Sequence, residues 1–180
     1  EVPLTYLGVD FTQAKVFNDI AANAMDIRDR QFAAINQVII NEPKKYDFQK
    51  AFSKSTVTND ISFVNAKNAK IDAEKIVEAN SADEMRFKKA TIESIVKGYN
   101  FKGKKGIGLM FIMESMNKAS AQGAMYVTLI DLASGKVLLT ERMTAKAAGF
   151  GFRNYWAKTI AEVLKDIQKS EYKEWKANAG

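Results

Sequence analysis

The chain has 180 residues, 47% of them hydrophobic and 27% charged, with a net charge of +6 and neither cysteine nor histidine. That length supports one domain with its own core and would be a squeeze for two. Without Cys and His the chain can form no disulfide, thiolate nucleophile, zinc–thiolate site or serine or cysteine triad of the usual kind.

Residues 4–11 read as a strand, with Leu7, Val9 and Phe11 on one face by period two. Residues 12–18 connect or continue it. A helix is predicted over residues 25–40, where Ile27, Phe32, Ile35, Val38 and Ile39 share a side and Arg28, Asp29 and Arg30 mark the wet one. Asn41-Glu42-Pro43 is its stop. Residues 46–52 suggest a short helix carrying Tyr46, Phe48 and Phe52. Residues 56–58 and 61–64 look β-like, with Asn59-Asp60 as a break. In residues 65–80, Ile71, Ile76 and Val77 suit either a short helix or an edge strand.

Ser81-Ala82-Asp83-Glu84 has the pattern of a capping box. The helix expected after it runs to about Tyr99, presenting Met85, Ile92, Ile95, Val96 and Tyr99. A three-strand meander follows. Residues 107–114 form the first strand, and 109–113 are apolar on both faces, as a central covered strand requires. Residues 124–131 and 137–143 form the next two, joined by a hairpin at residues 131–136 in which Gly135 suits positive φ. The polar Thr140, Glu141 and Arg142 mark the last strand as an edge. The final helix has the strongest periodicity, in Phe152, Trp156, Ile160, Val163, Leu164 and Ile167. Tyr172 and Trp175 lie in a tail that prolongs this helix or frays. With no repeat or linker, the expectation is a single α/β (α+β) domain over residues 1–180. Its mixed sheet has about five strands and a C-terminal antiparallel meander, with helices on the faces.

Four groupings bear on function. The elbow Gly149-Phe150-Gly151-Phe152-Arg153 offers backbone amides and an Arg at a helix N-terminus. Its plainer reading is a tight turn whose Phe150, Phe152, Tyr155 and Trp156 lock the last helix onto the sheet. Asp10, Glu114, Asp131 and Glu141 lie in or beside strands, and Asp10 with Glu114 would approach if their strands were neighbours. Such a pair is the route left open to a hydrolase or transferase. Lys88, Lys89, Lys97, Lys102, Lys104 and Lys105, with Tyr99 and Phe101 between them, resemble a footprint for single-stranded nucleic acid or an anionic polymer. No RNA-binding signature accompanies it. Gly103-Lys104-Lys105-Gly106-Ile107-Gly108 leads into a strand rather than from a strand into a helix, which sets nucleotide binding aside.

Residues 125–127 and 137–141, together with Ala147-Ala148-Gly149-Phe150-Gly151-Phe152-Arg153-Asn154-Tyr155-Trp156, resemble an uncharacterised family of small exported bacterial proteins. The element order is also similar to the periplasmic N-terminal domain of TolB and to CsgG-like and LpoB-like lipoproteins, by analogy of fold. Those relatives imply a non-enzymatic envelope component that acts through contacts. The chain opens at Glu1 and lacks the lipidated Cys of the lipoproteins. The expectation is therefore an exported protein, periplasmic or outer-membrane associated, from which a signal peptide has been removed. Its partner would be a protein or envelope polymer rather than nucleic acid, with no cofactor, no metal and no transmembrane segment. Phe150, Arg153, Asn154 and Tyr155 are the candidate binding residues.

Overall fold

In the computed structural model, which describes residues 2–80 and 84–179, the chain is organised around one long strand, β5 (Ile107–Asn117). Leu109, Phe111 and Met113 enter the larger core on one face, while Met110 and Ile112 enter a smaller core on the other. On one side β5 pairs in parallel with two successive short strands, β1 (Leu4–Asp10) and then β2 (Lys15–Phe17). These behave as one interrupted strand. Outside them lie β3 (Val57–Asn59), parallel to β1, and β4 (Val77–Glu78), parallel to β2. On its other side β5 pairs antiparallel with β6 (Gln122–Asp131), and β6 with the edge strand β7 (Lys136–Lys146). The seven strands thus make a mixed sheet that is parallel in its N-terminal half and an antiparallel meander in its C-terminal half.

Two helices cover the large core. The first, α1 (residues 24–41), starts where the Asn23 carboxamide accepts from Asp26 N at 3.0 Å, and contains a π turn at Ile27–Gln31. It ends at Asn41, two residues before Pro43. The last, α5 (residues 151–179), buries Trp156, Ile160, Val163, Leu164 and Ile167. It does not fray at Asp166: a π turn over Ile167–Glu171 rephases it, and Trp175 is buried too. Burial of such side chains contributes roughly 1.5–3 kcal/mol each. The short α2 (Phe48–Ala51) is capped by Asp47, whose carboxylate accepts from Lys50 N at 2.9 Å.

Several sequence expectations are corrected. Residues 61–64 are not a strand: α3 (Ser62–Asn68) begins there, because the Asp60 carboxylate accepts from Ser62 N at 3.1 Å and from its hydroxyl at 2.5 Å. Ser81, Ala82 and Asp83 of the expected capping box lie outside the described residues. The helix that follows, α4 (Lys89–Lys97), begins later than expected, with Lys88 N donating to Thr91 Oγ1 at 3.1 Å. Met85 therefore lies before the helix, exposed, and Tyr99 lies after it. The period-two face of β1 also breaks. A bulge at Gly8, with φ +101°, sends Leu7 into the small core and Tyr6, Val9 and Phe11 into the large one.

Beyond Tyr6, β1 has no strand on its outer edge. Two buried asparagines take that role. Asn36 of α1 accepts from Val9 N at 2.8 Å and donates to Val9 O at 3.2 Å. Asn68 of α3 accepts from Phe11 N at 2.8 Å and donates to Val9 O at 3.0 Å. Backbone groups that would otherwise be buried without partners are thereby satisfied.

Candidate functional site

The elbow between β7 and α5 turns through two glycines at positive φ, Gly149 at +121° and Gly151 at +78°. Its aromatics divide. Trp156 is 1% exposed and meets Tyr155 edge-on at 4.8 Å and Phe152 at 6.3 Å. These lock the helix to the sheet as the plainer reading expects. Phe150 does not take part: it is 96% exposed. Arg153 and Asn154 are exposed neighbours, with Arg153 Nε donating to Asn154 Oδ1 at 3.1 Å. Tyr155 is half-buried beneath the Lys118 ammonium, 3.6 Å from its ring centroid.

A cleft of about 300 Å³ opens beside this elbow, between Gly151, Phe152, Tyr155 and the loop bearing Asp19, Ala21 and Asn23. Exposed apolar side chains neighbour its lining residues along the chain. Ile20 lies within that loop fully exposed, Met25 in the first turn of α1 is 62% exposed, and Phe150 flanks Gly151. Asp19, Asp26 and Lys118 give the cleft mixed charge.

The carboxylates are arranged differently from an acid–base pair. Asp10 and Glu114 do lie on neighbouring strands, but they are 0% and 1% exposed and each is held by its own donors. Asp10 accepts from Thr12 N at 2.8 Å, Thr12 Oγ1 at 2.6 Å and the Tyr99 hydroxyl at 2.5 Å. Burial pushes its pKa up, against the lowering effect of those hydrogen bonds and of Lys67. Glu114 accepts from Arg142 Nε at 2.8 Å, Phe87 N at 2.7 Å and Arg86 N at 3.1 Å. Asp131 caps the hairpin through Ser134, and Glu141 is exposed on the edge strand. Both buried carboxylates are therefore structural anchors.

In the Lys88–Lys105 region the aromatics pack on one another, and the half-buried Tyr99 lines a cleft with Phe63, Lys67, Lys70 and Lys102. Phe101 is buried, and Tyr99 stacks on it at 5.7 Å with Lys67 over its ring at 5.3 Å. Lys104 pairs with Asp60 at 3.3 Å. The strongest basic cleft lies elsewhere, about 480 Å³ in volume, and gathers Lys15, Lys67, Lys70, Lys75 and Arg86. Lys67, Lys70 and Lys75 are close in the sequence, while Lys15 and Arg86 join them only in the fold.

A third cavity, about 160 Å³, is walled by Tyr6, Tyr46 and Phe48. The Tyr6 hydroxyl there is buried without a protein hydrogen-bond partner. Burial raises the pKa of Tyr6 and pushes that of Tyr46 up to about 12, so both stay neutral in ordinary buffers. Among the described residues no group of acidic side chains is placed to hold a metal, and no helix is long and apolar enough to cross a membrane.

Comparison with known proteins gives no match to a family model, to a curated protein or to a solved structure.

Proposed function

We propose that this is a non-enzymatic binding protein of the bacterial cell envelope, exported and acting through a protein partner that docks at the elbow cleft. The observation that carries the reading is Phe150. This large aromatic is 96% exposed, on a backbone turned by two positive-φ glycines, and covering it with a partner would bury apolar area. Ile20 and Met25 are also exposed, and each is a chain neighbour of residues that line the cleft. Exposed apolar groups around a concavity, within a polar rim, are the common form of a protein-binding surface. The cleft carries both signs of charge, in Asp19, Asp26 and Lys118, which suits a protein surface better than a polyanion. Asp10 and Glu114, the carboxylate pair that the strand order brings to neighbouring strands, are closed off from solvent.

The test uses the immobilised protein and the envelope fraction of its source cell. An Ile20→Ser/Phe150→Ser variant should keep its unfolding temperature, because both side chains are exposed. The wild-type protein should retain a partner that the variant loses, and protease treatment of the fraction should abolish capture. Equal capture by the variant, or capture that survives protease, would contradict a protein-binding elbow.

A further inference from the structure

The basic cleft lies where β1 ends at Asp10 and the chain loops through residues 11–14 before re-entering the sheet as β2. Its walls come from four segments: the loop with Thr12 and Gln13, the end of α3 with Lys67 and Lys70, the turn before β4 with Asp72 and Lys75, and the residues around Arg86. Its volume of about 480 Å³ falls within the roughly 300–1,000 Å³ of small-molecule sites.

Among the described residues the lining groups five cations with one carboxylate, Asp72; Glu78 acts on Lys15 from nearby. Two further acids stand directly behind the cleft, but their charges are committed inward. Asp10 holds both the amide and the hydroxyl of Thr12, fixing the loop that forms the floor. Glu114 holds the amides of Arg86 and Phe87, fixing the backbone that carries the guanidinium. That guanidinium donates to Glu114 O at 3.0 Å and to Gln13 O, and the Lys15 ammonium donates to Lys75 O. The cleft is thus a braced structure, in contrast to an array of freely solvated lysines. Desolvation first, and then the charge of Arg86, depress the Lys15 pKa, as expected where like charges crowd together.

We propose that this cleft binds a compact ligand carrying two or more adjacent phosphate groups. Crowded lysines around a concavity focus a positive field that a single charge would only partly offset. Lysine ammoniums are point-charge partners suited to phosphate oxygens. Among the described residues the lining holds no aromatic on which a nucleobase would stack, so recognition rests on the phosphates. This site is separate from the elbow, and neither depends on the other.

Calorimetric titration of the whole chain with tripolyphosphate, orthophosphate and citrate tests this. Tripolyphosphate should bind, and orthophosphate and citrate should bind much more weakly. Lys70→Gln/Lys75→Gln changes two exposed lysines and should weaken tripolyphosphate binding about tenfold or more. Lys173→Gln/Lys176→Gln, which removes the same charge from the far end of α5, should leave it unchanged. Three outcomes would overturn the proposal: no binding of tripolyphosphate, equal binding of orthophosphate, or equal weakening by both variants.

Discussion

At the scale of single residues, the buried polar groups do the most to define this fold. Asn36 and Asn68 complete the edge of β1 where no strand lies beside it. Nothing in the sequence announced them, because an asparagine in a helix is ordinarily read as surface or cap. Gly8 was equally silent. Its positive φ shifts the alternation of β1 by one residue, and a Cβ there would stand 2.6 Å from Val64 Cγ2. Asp10 is legible as a carboxylate of the first strand, but its partner Tyr99 lies 89 residues away and only the fold brings them together. Its raised pKa has a definite sign for stability. Asp10's contribution is fully present below the ordinary carboxylate range and is lost as the pH rises through the folded-state value. Asp10→Asn removes that titration. In urea unfolding between about pH 4 and pH 8, the stability of Asp10→Asn relative to wild type should rise with pH. A difference that stays flat would mean that burial of Asp10 carries no ionisation cost.

At the scale of elements, periodicity read well where an element is long and one-sided, and poorly where it is short. The double-sided apolar run of β5, the stop of α1 before Pro43 and the stripe of α5 were legible because burial on a fixed face imposes their spacing. Residues 61–64 misread because four mostly apolar residues suit either state, and the Asp60 side chain decides for helix. Thr140, Glu141 and Arg142 mark β7 as an edge strand, and it pairs with β6 on one side. Within β7, however, a register shift leaves Leu138 exposed at 53%, and alternation does not reveal that. The elbow was legible as a corner, but not in which aromatic it would leave outside. Trp156 is its anchor, at 1% exposure against Phe152 and Tyr155. Trp156→Ala should lower the unfolding free energy by about 3–5 kcal/mol, as for a large buried aromatic. Near-wild-type stability in denaturant titration would show that α5 is held by its other contacts.

At the scale of the whole molecule, the two candidate surfaces differ in how far the sequence could reach them. The elbow is contiguous in sequence, so Phe150, Arg153, Asn154 and Tyr155 stood together before any fold was known. Its other side, carrying Ile20 and Met25, is supplied by chain more than a hundred residues earlier and became visible only in three dimensions. The basic cleft is assembled from residues 12 to 86, so its lysines were counted in the net charge without being located. The most direct measurement of the docking reading is site-specific crosslinking in the source cell. A photoreactive amino acid would be placed at position 150, and at the exposed position 138 as comparison. Efficient capture of one defined protein from position 150, and not from 138, is the expected result. No crosslink from position 150, or the same products from both positions, would contradict the elbow as the docking surface.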